Sequence, residues 1–98
     1  MAYIRHITLV ANTAQTVTLD PAANSSRVEI MSRNGLDTIY VSYDGTANPA
    51  NPTVAGNDFD AVAAAIGAAI RFKRINNSNM VVKLISAAAT TVTVRAIA

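Results

Sequence analysis

A chain of 98 residues makes one small domain and leaves no room for a second. It has no cysteine, which excludes disulfides, thiolate metal sites and thiol nucleophiles. Charged residues are 14% of the chain and the net charge is +2, while Ile, Val and Thr fill 29 positions and Leu, Glu and Gln only six. A β-branched excess with few helix formers besides alanine excludes a helical bundle, a coiled coil and a disordered tail.

Period-two alternation recurs along the chain. Tyr3 to Val10 reads as an extended segment whose pattern is blurred by Arg5 and His6, as in an edge strand or an arm. Gln15 to Leu19 puts Val17 and Leu19 on one face and Thr16 and Thr18 on the other. Asp20-Pro21 ends it, because proline cannot donate to a ladder. Arg27 to Ser32 turns Val28 and Ile30 inward and Arg27 and Glu29 outward. Arg33-Asn34-Gly35-Leu36 is a turn signal, since Asn and Gly tolerate the positive φ of tight hairpins. Thr38 to Tyr43 follows, with Ile39 and Val41 opposite Thr38, Tyr40 and Ser42.

Residues 46–58 hold Pro49, Pro52, Gly56, Asn48, Asn51 and Asn57 and read as a long surface loop with a short strand near Thr53-Val54. A strand is expected over Phe59 to Ala63, a turn at Ile66-Gly67 and a strand from Ala69 to Ile75. The alternative is one short helical turn near 60–67, because the segment is alanine-rich and Asp58 can cap a helix. Ile70 and Phe72 face inward, Arg71 and Lys73 outward. After the polar turn Asn76 to Asn79, Met80 to Ser86 buries Met80, Val82 and Leu84 and leaves Lys83 outside. Thr91 to Ile97 alternates most cleanly, with Val92, Val94 and Ala96 in and Thr91, Thr93 and Arg95 out. The last two strands are expected to pair as a hairpin across Ala87-Ala88-Ala89. Seven or eight strands at this spacing make an all-β chain, a single antiparallel sandwich or a small barrel.

Few residues offer chemistry. His6 is the single histidine and reads as a strand-surface side chain. Asp58 and Asp60 form a D-x-D, which supplies fewer oxygens than a calcium ion takes and reads as a solvated loop. Arg71, Lys73 and Arg74 are the densest basic cluster, read as a solvated edge or as ion-pair partners of a neighbouring subunit. A nucleic-acid surface would add stacking aromatics, and this chain has only Tyr3, Tyr40, Tyr43, Phe59 and Phe72. Tyr40 is either an exposed interface anchor or a residue under the proline-rich loop. The amino terminus lacks a signal-peptide pattern, and no apolar run reaches the ~18 residues of a spanning helix. The expectation is a protein that is not an enzyme, with no catalytic, metal or cofactor residues and no nucleic-acid, membrane or small-molecule partner.

Val28-Glu29-Ile30, Asn34-Gly35, the run Thr38-Ile39-Tyr40-Val41-Ser42-Tyr43-Asp44-Gly45-Thr46 and the closing stretch from Val81 to Val94 form a texture of strands and turns. In it the chain resembles small β-sandwich virion structural proteins of tailed bacteriophages, of the capsid decoration or cement type, over about residues 28 to 97. The resemblance implies a jelly-roll-like sandwich, a homotrimer, and a place on the capsid exterior, bound to the major capsid protein, after synthesis in the host cytoplasm. A tail, baseplate or head-fibre β-module and a small carbohydrate-binding sandwich are the alternatives. Low charge with many small residues suits a surface covered by an assembly, because such side chains lose little entropy on contact. The candidate contacts are an N-terminal arm over residues 1–5, with Ala2, Tyr3, Ile4 and Arg5, then Tyr40, and Asn48, Pro49, Asn51, Pro52 and Asn57 of the long loop.

Overall fold

The computed structural model describes residues 4–19, 27–43, 49–54, 59–73 and 80–97. Among these residues eight strands form: β1 (Ile4–Thr8), β2 (Gln15–Leu19), β3 (Arg27–Ser32), β4 (Ile39–Ser42), β5 (Asp60–Val62), β6 (Ala69–Lys73), β7 (Met80–Ser86) and β8 (Thr91–Ile97). They lie in two four-stranded sheets, ordered β1-β8-β3-β6 and β2-β7-β4-β5, and every pairing is antiparallel. The all-β sandwich read from the sequence is the observed fold. Its strand order, with odd and even neighbours drawn from distant parts of the chain, is that of a jelly roll.

Among the described strands, only β4 and β5 are both consecutive in sequence and adjacent in a sheet. The hairpin expected for the last two strands does not form: β7 belongs to the second sheet and β8 to the first. Residues 87–90 instead arch over the end of the core. The crossing is held by the buried pair Ser86 Oγ and Thr90 Oγ1, 2.9 Å apart, and by Leu9 N–H donating to the Thr90 carbonyl at 2.9 Å. The Asn34-Gly35 turn likewise carries the chain from β3 in one sheet to β4 in the other. Alternation assigns a face to each side chain but leaves the hydrogen-bonding partner open, and here the partner is set by long-range packing.

The helical alternative for 60–67 gives way to strand and turn. Val62 is 1% exposed and opposite Ile39, so it reaches the core from an extended backbone. Ala63, Ala64 and Ala65 are exposed and offer no apolar stripe for a helix to bury. The expected strand at Thr53-Val54 is absent as well: Val54 sits in a turn.

Val28, Ile30, Phe72, Val92 and Val94 of the first sheet pack against Val17, Leu19, Ile39, Val41, Val62, Val82 and Leu84 of the second, with Leu9 closing one end. Each such side chain contributes roughly 1.5–3 kcal/mol on burial. Ile70 and Ala96 pack against this core while half-buried; the Met80 side chain lies outside the described residues. Glu29 and Thr93 occupy outward register positions, as read, yet both are buried, at 7% and 2% exposure. Arg71 and Arg95 contact Glu29, and His6 and Arg33 contact Thr93.

At the arched end, Ser32 N–H donates to the Ala68 carbonyl at 2.8 Å and Gly67 N–H to the Ser32 carbonyl at 2.9 Å. The β3–β4 loop therefore rests on the β5–β6 loop. Gly35, at φ +62°, is where they meet: a Cβ there would stand 2.6 Å from Ile66 N.

Candidate functional site

Register places the outward side chains of the first sheet in rows. Ile97, Arg27 and Lys73 form one row. Ile4, Arg95, Glu29 and Arg71 form the next, and His6, Thr93, Met31 and Ala69 the third. Thr8 and Thr91 continue the pattern, with Arg33 N–H donating to the Thr91 carbonyl at 2.9 Å.

Glu29 is the hub of the second row. Its Oε2 lies 2.6 Å from Arg71 Nε and its Oε1 2.8 Å from Arg95 Nε. The two contacts differ in kind. The Arg71 side chain is 57% exposed and screened by solvent, whereas Arg95 Nε is buried and its N–H is not aimed at the carboxylate. The Arg95 pair is thus close and coulombic without a well-directed hydrogen bond. Arg95 Nη2 also contacts Met31 Sδ at 3.8 Å.

The third row holds the single histidine, exposed on β1 as read. His6 Nδ1 lies 2.8 Å from Arg33 Nη1 and 2.8 Å from Thr93 Oγ1. A guanidinium only donates, so Nδ1 accepts and the ring proton is assigned to Nε2. Arg33 Nη1 also reaches Thr93 Oγ1 at 3.4 Å. Beside this cluster runs an open groove of about 340 Å³, lined by Ile4, Met31, Ile66, Arg33 and Arg95 among others. Ile4 and Ile66 remain 51% and 79% exposed on its rim.

Among the described residues, positive charge gathers on this face. Arg27, Arg33, Arg71, Lys73 and Arg95 are five of the eight basic residues and Glu29 is one of six acids, so these six described side chains together carry +4. The arrangement supplies positive charge, directed donors and an aliphatic floor.

Among the described residues, those singled out from the sequence are not brought together. Ile4 lines the groove, and Arg5, exposed, alternates to the other side of β1; both pair with β8, opposite Arg95 and Val94. Tyr40 lies on the far sheet, half-buried between Ala61 and Ile85. Asn51 is exposed, whereas Pro49 and Pro52 are buried. Ala2, Tyr3, Asn48, Asn57, Asp58 and Arg74 lie outside the described residues. Asp60 accepts a hydrogen bond from the Tyr43 hydroxyl. Burial, then that bond and the Asp60 charge, pushes the Tyr43 phenol up to about 12. Sequence reading missed the basic face because its members are spread over β3, β6, β8 and the β3–β4 loop. The available signal was their shared outward parity.

No family model and no curated protein matches the chain. Among solved structures it is similar to the crystal structure of PirA, at 12% identity over 99% of this chain and 95% of that one, with a TM-score of 0.59. It is similar to a de novo designed double-stranded β-helix solved by solution NMR, at 17% identity over 94% and 92% of the two chains, TM-score 0.50. It is also similar to the Penaeus vannamei nodavirus P-domain, at 10% identity over 99% and 96%, TM-score 0.50. At such identities the likeness is one of fold: the chain is a double-layered β domain of the kind found in these three proteins.

Proposed function

We propose that this chain is a structural virion protein that binds the outer surface of a phage capsid and cements neighbouring capsomers, assembled as a homotrimer. The observation that carries the reading is the outer face of the first sheet: a preformed, positively charged surface with an aliphatic groove, on a low-charge domain of 98 residues. Such a surface adds contact area between subunits without chemistry. The shared fold with a viral P-domain supports a virion setting, and the resemblance in strand and turn texture supports a phage. A carbohydrate-binding role is disfavoured, because Tyr43 stacks on Phe72 of the core and leaves no aromatic platform with Tyr40.

The test is reconstitution. Capsids of the phage encoding the chain, prepared without it, are mixed with purified protein, sedimented and imaged. Saturable co-sedimentation, with density at capsomer junctions and a trimeric mass in solution, is expected. Binding confined to tails or fibres would move the chain to that part of the virion, and no binding to either would overturn the reading.

A further inference from the structure

We propose that the outer face of the β1-β8-β3-β6 sheet docks an acidic, extended segment of a partner protein, its carboxylates on the arginines and an aliphatic side chain in the groove. The inference deepens the capsid-binding reading, and rests on it, by naming the face and the chemistry of what it meets.

Three observations carry it. First, the cations of this face are under-compensated. Arg27 and Lys73 stand directly opposite each other across β3 and β6. Among the described residues neither has an acidic partner. Like charges at opposed positions destabilise a sheet, so an incoming carboxylate relieves a repulsion present in the free protein. Second, the face already shows which anion it accommodates. The Glu29 carboxylate lies between Arg71 and Arg95 at 2.6 and 2.8 Å, in the row next to Arg27 and Lys73. A carboxylate from outside meets the same kind of guanidinium site one row away, and at Arg33 beyond. Third, the groove joins these charges to apolar surface. Ile4, Met31 and Ile66 floor and rim a volume of about 340 Å³ whose other walls include Arg33 and Arg95. From Arg27 to Arg33 is about 20 Å of strand, the length of a short extended peptide. Carboxylates flanking an aliphatic residue match both elements. A polyphosphate would use the charge and leave the apolar floor uncovered, and among the described residues no Tyr, Phe or Trp occupies the rows of this face to stack a base, His6 there being held by Arg33 and Thr93.

The experiment uses the full chain and a short fluorescein-labelled peptide alternating glutamate with leucine. Its glutamine counterpart and a single-stranded oligonucleotide of equal charge serve as comparisons. Anisotropy titrations should show saturable binding of the glutamate peptide that weakens with salt, and little binding of the glutamine peptide. The double variant Arg27→Gln/Lys73→Gln should bind roughly three- to tenfold more weakly. It should also melt no lower than the parent, since a repulsive pair has been removed. Arg33→Gln, at the other end of the face, should weaken binding by a similar factor. Equal affinity of parent and variants, no binding of the glutamate peptide, or tighter binding of the oligonucleotide would each overturn the assignment. Capsid co-sedimentation separates the two levels: parent bound and variants lost supports both. Variants bound like the parent removes the face and keeps the reading. A parent that binds the peptide but no capsid removes the reading and leaves the face its peptide chemistry.

Discussion

The ring of Tyr43 lies parallel to that of Phe72, with centroids 3.6 Å apart and 5° between the planes. Tyr43 directly follows β4 of the second sheet and Phe72 belongs to β6 of the first, so the stack ties the two layers together. Face-to-face overlap is the least favoured electrostatic arrangement of two rings. Its value therefore lies in buried area. Phe72→Ala is expected to cost about 3–5 kcal/mol, read as a lower urea midpoint at unchanged m-value. A loss under about 1 kcal/mol would show that the stack does not belong to the core.

Alkali should expose the same residue. The Tyr43 phenol is pushed up to about 12, by burial first and then by the bond to Asp60 and its charge. The unfolded phenol titrates near ~10. The folded state therefore keeps a proton that the unfolded state has lost. This contribution to stability is whole below about pH 10 and disappears as the pH rises towards about 12. Across that window the parent should lose stability more steeply than Tyr43→Phe, which has no proton to hold. Identical slopes would contradict the linkage.

Two glycines with positive φ should respond differently to alanine. Gly35 is at φ +62° and Gly67 at φ +81°. A Cβ on Gly35 would stand 2.6 Å from Ile66 N and 2.8 Å from the Ala65 carbonyl carbon, whereas one on Gly67 would meet nothing within 4 Å. Gly67→Ala thus carries only left-handed strain of about 1–2 kcal/mol. Gly35→Ala adds a collision with backbone that cannot rotate away, and should cost at least about 2 kcal/mol more, within the range of overpacking. Thermal melts of the two variants compare them directly, and equal losses would mean that the β3–β4 loop does not rest on residues 65–66.

Glu29 offers a test of part-buried against exposed ion pairing. Its removal takes away a buried carboxylate and leaves Arg95, whose Nε is buried although its side chain is 33% exposed, without a counter-charge. Glu29→Gln is expected to cost about 2–4 kcal/mol. Arg71, with 57% of its side chain exposed, is a solvent-screened partner, and Arg71→Gln should cost under about 1 kcal/mol. Chemical denaturation of the two variants gives the ratio. A larger loss for Arg71→Gln would reverse the assignment of the hub.

Much of the fold was legible before the structure. The bounds of the strands at Gln15–Leu19, Arg27–Ser32, Met80–Ser86 and Thr91–Ile97 coincide with those read from alternation. Val17, Val28, Ile30, Val82, Leu84, Val92 and Val94 sit in the core, as their parity required. The candidate site was far less legible. Residues chosen for irregular surroundings, such as Pro49 and Pro52, are buried, and Tyr40 lies on the opposite sheet from Ile4. The basic face draws Arg27 and Arg33 from one part of the chain, Arg71 and Lys73 from another and Arg95 from a third. Only the pairing of β3 with both β6 and β8 makes them neighbours.

The sequence by itself determined most of the segments that extend and which side of each turns to the core, because both follow from a period of two carried by neighbouring residues, but it left 60–67 open and offered a strand at Thr53-Val54 that does not form. It also settled that β-branched residues would dominate and that sulfur would bridge nothing. The tertiary structure decided which strands pair, and so sent β7 and β8 to different sheets where proximity argued for a hairpin. It decided, too, that an outward Glu29 would be buried and an outward Arg27 would stand against Lys73. Those outcomes depend on what lies across the sheet rather than along the chain. For the same reason a net charge of only +2, unremarkable when counted, leaves Arg27, Arg33, Arg71, Lys73 and Arg95 gathered around a single Glu29 on one face, among the described residues.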